Sequence, residues 1–129
     1  MLDHISFPIS NFERSLAFYT AAFAPLGITA MVKGNKQNTG GHEEAGFGSE
    51  GRPYFWIRDG EALKGCLHVA FVAKDRKSVD AFYAAAMKAG GRDNGPPGIR
   101  AHYHPDYYGA FVLDPDGHNI EAVCRKPQG

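Results

Sequence analysis

The 129 residues carry 14 Lys plus Arg against 14 Asp plus Glu, a formal net charge of zero. No basic stripe, Arg-rich segment or base-stacking aromatic motif is present, so the electrostatic footprint of a nucleic-acid binder is missing. No apolar run approaches the roughly 20 residues that span a bilayer, and Met1-Leu2-Asp3-His4 opens the chain without a cationic and apolar leader, so the expectation is a cytoplasmic protein with no membrane partner.

The first element in chain order is a strand over residues 2–9, alternating around His4. Ser10-Asn11-Phe12-Glu13 fits a capping box, with Ser10 accepting from an early amide and Glu13 reaching back, which predicts a helix from about Asn11 to Ala24. Phe12, Leu16, Tyr19 and Phe23 form its apolar stripe, and Pro25 and Gly27 end it. A strand over Ile28 to Val32 follows, then a Gly-, Asn- and Lys-rich loop from Lys33 to Gly41. Its Gly34, Gly40 and Gly41 do not make a phosphate loop, because the Lys-Ser/Thr ending and the strand-to-helix context are both absent. Short strands at Ala45 to Gly48 and Tyr54 to Arg58, joined by the turn from Ser49 to Pro53, complete the first module, and Asp59 to Gly65 is a linker.

The same order then recurs. A shift of 64 positions lays His68-Val69-Ala70-Phe71 through Phe82-Tyr83 onto His4-Ile5-Ser6-Phe7 through Phe18-Tyr19 without a gap. The second module reads as a strand from Cys66 to Ala73, a helix from an Asp75 cap to about Ala89, and a Pro/Gly loop from Gly90 to Gly98. Strands near Ile99 to His104, Tyr107 to Leu113 and His118 to Arg125 follow, the last two joined by the Asp114-Pro115-Asp116-Gly117 turn. The expected fold is therefore α+β, a single domain over 1–129 built from two βαβββ modules, about 1–60 and 65–126. A repeat must bury its open face against its twin, which gives one eight-stranded, cup-shaped mixed sheet with helices on its outer face.

Strand parity sorts the side chains. His4 shares a face with Leu2 and Ser6, His68 with Cys66 and Ala70, and Glu121 with Asn119 and Val123. Ile5 and Phe7, Val69 and Phe71, and Ile120, Ala122 and Cys124 occupy the opposite faces, suited to packing under helices. Two imidazoles and one carboxylate thus share the concave side. Such a three-ligand set with open positions suits a catalytic divalent ion, Zn, Ni, Mn or Fe. Cys66 and Cys124 read as reduced thiols, Cys66 as a packing residue. His42 and His118, in a loop and just past a turn, read as ordinary exposed histidines.

The segment Arg100-Ala101-His102-Tyr103-His104-Pro105-Asp106-Tyr107-Tyr108 gathers further chemistry ahead of the last hairpin. His102 or His104 suits general acid–base work, Tyr107 or Tyr108 an oxyanion donor, and Arg100 a substrate carboxylate. Trp56, with Tyr54, is a candidate pocket wall.

Three stretches carry a family resemblance: Asp3-His4-Ile5-Ser6 with Phe12 to Tyr19, Leu67-His68-Val69-Ala70-Phe71, and Phe111-Val112-Leu113-Asp114-Pro115-Asp116-Gly117-His118-Asn119-Ile120-Glu121. Over nearly its whole length the chain resembles the vicinal oxygen chelate superfamily, the glyoxalase, bleomycin-resistance protein and extradiol dioxygenase group. The resemblance implies paired βαβββ modules around a divalent metal, frequently in a homodimer, with His4, His68 and Glu121 at the ligand positions and a small-molecule substrate bound through vicinal oxygens. The fourth ligand position of the glyoxalase I pattern falls in Tyr54-Phe55-Trp56-Ile57, which holds no carboxylate. That departure points away from lactoylglutathione lyase chemistry and toward the two-His-one-carboxylate dioxygenases and fosfomycin-modifying transferases. Family members that bind drugs without a metal supply the alternative, in which the same three residues are hydrogen-bonded pocket groups.

Overall fold

The computed structural model describes residues 1–37, 41–65 and 67–128; Cys66 and the centre of the Lys33-to-Gly41 loop lie outside the described residues. The first module runs β1 (Ile5–Ile9), α1 (Phe12–Phe23), a short 3-10 turn (Ala24–Leu26), β2 (Thr29–Gly34), β3 (Glu44–Ser49) and β4 (Arg52–Asp59). The second runs β5 (His68–Val72), α2 (Arg76–Lys88), β6 (Arg92–Ile99), β7 (Tyr108–Leu113) and β8 (Asn119–Cys124). Among the described residues, eight strands divide into two mixed four-stranded sheets ordered β1-β4-β3-β2 and β5-β8-β7-β6. In each, the first and last strands pair in parallel and the remaining pairs are antiparallel. The duplicated sequence gives a duplicated topology, an α+β fold of two βαβββ modules.

Local sequence explains most boundaries, and two tertiary effects overrule it. Asn11, not Ser10, caps α1, its side chain accepting from the Arg14 amide at 3.1 Å. Ser10 is taken by the other module: its amide and hydroxyl both donate to Asp116, so the box expected at Ser10 and Glu13 does not form and the helix opens one residue later. The Pro/Gly segment is not a loop either, since Arg92 to Ile99 forms β6. Among the described residues it pairs only with β7, and it breaks register twice, between Asp93 and Gly95 and between Gly95 and Gly98. An edge strand tolerates Pro96 and Pro97 because only one side of its ladder is used. The strand expected from Ile99 to His104 is instead a turn, closed by Arg100 N–H to Tyr107 O at 2.7 Å and Tyr103 N–H to Arg100 O at 3.0 Å.

Both helices cover the sheet faces opposite His68, Glu121 and Trp56, and one core joins the modules. Phe23 of α1 meets Phe55 of β4 at 5.0 Å and Phe71 of β5 at 4.8 Å, centroid to centroid. Phe18, Tyr19, Ala22 and Phe23 are fully buried, while Phe12 and Leu16 are only partly so. The buried stripe of α1 is thus rotated from the expected one, because the helix packs against α2 as well as against its own sheet. Burial of each such aromatic contributes about 1.5–3 kcal/mol. Polar ties reinforce the joint: the Tyr19 hydroxyl donates to Asp114, whose other oxygen accepts from the Asp116 and His118 amides at 2.9 and 2.8 Å. That turn exits through Gly117 at φ 89°, a conformation that favours glycine. Among the described residues, no helix is long and apolar enough to cross a membrane.

Candidate active site

Parallel pairing of β5 with β8 sets His68 opposite Asn119 and Ala70 opposite Glu121, so His68 and Glu121 are diagonal neighbours on one face. Nε2 of His68 lies 2.8 Å from Oε1 of Glu121. The carboxylate is 2% exposed while the imidazole is half open to solvent. The Tyr107 hydroxyl donates to the second carboxylate oxygen. Burial first, and then this bond to Glu121, push the Tyr107 phenol up to about 12. It is therefore a fixed donor at neutral pH.

The pair sits in a cavity of about 500 Å³ whose other walls are His102, Tyr103, Phe111 and Arg125. A smaller recess beside it, about 310 Å³, shares His102, Tyr103 and Phe111 and adds Arg100 and Asn119. As donors for a divalent ion, His68 and Glu121 fit. They stand 2.8 Å apart on one face, and both present atom types that such ions accept.

His4 is elsewhere. It precedes β1, pairs through Nδ1 with Asp3 at 2.7 Å, and lines a small cavity of about 160 Å³ with Ser6, Glu44, Trp56 and Arg58 on the exposed face of the first sheet. The hydrogen bond to His4 and the Arg52 guanidinium hold the Asp3 carboxyl below its usual range. Among the described residues, no three His, Cys, Asp or Glu side chains gather to hold an ion. One chain brings together two of the three expected ligands and leaves the third on its other module.

The remaining candidates separate by strand and turn geometry. The His102 ring lies 4.1 Å from the Tyr103 ring, tilted by 46°, within the His68 cavity. His104 turns inward on its own loop, its Nδ1 accepting from the Asp106 amide at 3.0 Å. Tyr108 lies one residue from Tyr107 and so on the opposite face, its hydroxyl donating to Asp80 of α2 at 2.6 Å; that bond and burial raise its pKa. The structure therefore does not bring Tyr108 to the cavity. Arg100 lines the adjoining recess and donates to the carbonyls of Gly98 and Pro96, at 2.8 and 2.7 Å. Trp56 lies across Gly46, where an added Cβ would meet the indole at 2.8 Å.

His118 corrects the expectation of an exposed histidine. It is 1% exposed, accepts the Leu67 amide on Nδ1 at 3.1 Å, and packs edge-on against Phe7. It anchors the chain just ahead of His68. Arg125 was not singled out by sequence, although it stands four residues beyond Glu121 and period two places both on one face.

A family model for the Glyoxalase/Bleomycin resistance protein/Dioxygenase superfamily matches residues 1–122. Among solved structures, a glyoxalase/bleomycin resistance protein from Albidiferax ferrireducens is 29% identical over 98% of this chain and 99% of that one, with a TM-score of 0.74. A mutant of the fosfomycin resistance protein FosX from Listeria monocytogenes, complexed with Mn(II) and 1S,2S-dihydroxypropylphosphonic acid, is 19% identical over 95% and 90%, with a TM-score of 0.70. A glyoxalase-related enzyme from Fulvimarina pelagi is 20% identical over 96% and 87%, also at 0.70. Comparison with curated proteins finds no match.

Proposed function

The chain belongs to the glyoxalase/bleomycin resistance protein/dioxygenase superfamily, and from that premise we propose that it is a divalent-metal enzyme, a lyase, isomerase or dioxygenase, acting on a small substrate with vicinal oxygens. The observation that carries the reading is the His68–Glu121 pair, a half-open imidazole beside a buried carboxylate at the floor of a ligand-sized cavity. The bound Mn(II) of FosX, a protein of the same fold, supports a divalent ion. Such an ion supplies Lewis-acid polarisation of substrate oxygens.

The chain's own residues do the rest. Tyr107 holds Glu121 in place by donating to its second oxygen. His102, at the cavity wall, is positioned to take or return a substrate proton. Phe111, 9% exposed, gives the cavity an apolar wall.

The third ligand, His4, comes in this reading from a second copy. Among the described residues β1 and β5 each pair on one side only, Leu2 and Val72 are 76% and 84% exposed, and a groove of about 630 Å³ runs between these edges. Unpaired edges flanked by apolar side chains favour pairing with another chain, which supports a homodimer with two composite sites. A buried free thiol, Cys124, suits the reducing cytoplasm.

Mixing tests ligand set and assembly together. His4→Ala and His68→Ala homodimers each lose metal. Co-refolded, they form heterodimers with one intact site, which restores about a quarter of the wild-type metal content by elemental analysis. No restoration would place all three ligands in one chain, and undiminished metal in both single variants would refute the ligand assignment.

A metal-free binding protein is the second reading. It is favoured by the complete hydrogen bonding of Glu121 without an ion, to His68 and Tyr107. Glu121→Gln separates the two: it abolishes metal uptake in the first reading and leaves small-molecule affinity intact in the second.

A further inference from the structure

The His68–Glu121 cavity contains a permanent cation with no anionic partner. Arg125 follows the last residue of β8 and lines the cavity, its guanidinium 4.9 Å from the centroid of the Tyr107 ring. Among the described residues no carboxylate forms a salt bridge with it. Glu121, which shares the cavity, is engaged at both oxygens by His68 and Tyr107. Arg100, the cation that sequence alone favoured for this task, donates to Pro96 and Gly98. Arg125 is thus the guanidinium lining this cavity that, among the described residues, has neither a hydrogen bond nor an ion pair.

Beside it runs a ladder of flat groups: Tyr107 lies 5.0 Å from Tyr103, and Tyr103 4.1 Å from His102. Tyr103 is 60% exposed, so part of its ring is open to whatever enters. A planar guanidinium pairs with a carboxylate through two parallel N–H donors, and an exposed ring gains from stacking against another flat ring. The two preferences coincide in one class of ligand.

We propose that this cavity takes a flat carboxylate, an aromatic or conjugated carboxylic acid whose charge rests on Arg125 and whose ring lies against Tyr103, with its far end toward His68 and Glu121. The assignment rests on reading this cavity as the reacting site, and it narrows the substrate to an acid.

Benzoate is the probe, with benzamide as its uncharged isostere and cyclohexanecarboxylate as its non-flat counterpart. Each is titrated by protein-observed NMR into the whole chain, metal-free and after loading with diamagnetic Zn(II), with metal content measured on the same samples. Benzoate is expected to shift the Arg125, Tyr103 and Phe111 resonances and to bind more tightly than either control. Arg125→Gln weakens it about tenfold or more, a loss of about 1.4 kcal/mol per decade, and leaves benzamide unchanged. Arg125→Lys, which keeps the charge and loses the fork, falls between, and guards against a folding defect in the first variant.

Equal benzoate affinity in wild type and Arg125→Gln, benzamide binding as tight as benzoate, or no benzoate binding at about 10 mM would each overturn the proposal. Arg125-dependent benzoate binding by a protein that takes up no metal would uphold the acid site and remove the metalloenzyme reading. Metal uptake with benzoate binding indifferent to Arg125 would do the reverse.

Discussion

Tyr107 and Tyr19 show how one hydroxyl can be committed by its surroundings. Tyr19 is wholly buried, and desolvation followed by the charge of Asp114 raises its pKa well above the ordinary value. Tyr107 is raised to about 12 by burial and Glu121. The unfolded chain ionises its tyrosines near pH 10. Between that value and the folded one the native state binds more protons, so stability is fully present below pH 10 and declines as pH rises toward 12. Thermal unfolding followed from pH 9 to 12 checks this: Tyr107→Phe and Tyr19→Phe should each flatten the decline. Tyr19→Phe also leaves one oxygen of buried Asp114 without its donor, a cost of about 1–3 kcal/mol at neutral pH. A variant as stable as wild type by urea titration would contradict that tie between the modules.

At the scale of elements, each helix is opened by a side-chain cap. Asn11 accepts from Arg14, and Asp75 accepts from the Ser78 amide at 2.7 Å. Asn11→Ala should cost about 1 kcal/mol, read as a lower urea midpoint at unchanged slope. The bonds from Ser78, side chain and then backbone, lower the Asp75 pKa. Its contribution is therefore present above the unfolded carboxylate value of 3.8 and lost as pH falls through the lower folded value. The Asp75 cap was legible because its partners are three residues away. The Ser10 box was not, because the carboxylate that claims Ser10 is 106 residues distant. β6 escaped notice for a related reason, since Pro96-Pro97 reads as a breaker unless the segment is known to lie at a sheet edge. Period two, by contrast, is local and strict, and it put His68 and Glu121 on one face before any pairing was known. It also held the position of Arg125, which went unread because the residue lies beyond the last apolar position of the strand.

Across the whole molecule, the 64-residue repeat made the topology legible, while what joins the two copies was visible only in three dimensions. Phe23 touches aromatic residues of both modules, so Phe23→Ala should cost about 3–5 kcal/mol and lower both modules' stability together in one cooperative transition. Two separate transitions in hydrogen exchange would show the modules to be independent. Placement of the ligands was the least legible feature. Equivalent positions in a repeat need not meet: the sheets carry His4 and His68 on different exposed faces. The chain has a single tryptophan, and Trp56 lies flat over Gly46 beside His4, half-buried and bordering a cavity. All indole emission therefore originates at that one spot. Arrival of a second chain or a small molecule there is reported by unlabelled protein as a change in colour and intensity of its own fluorescence, while events confined to the second module leave the signal unmoved.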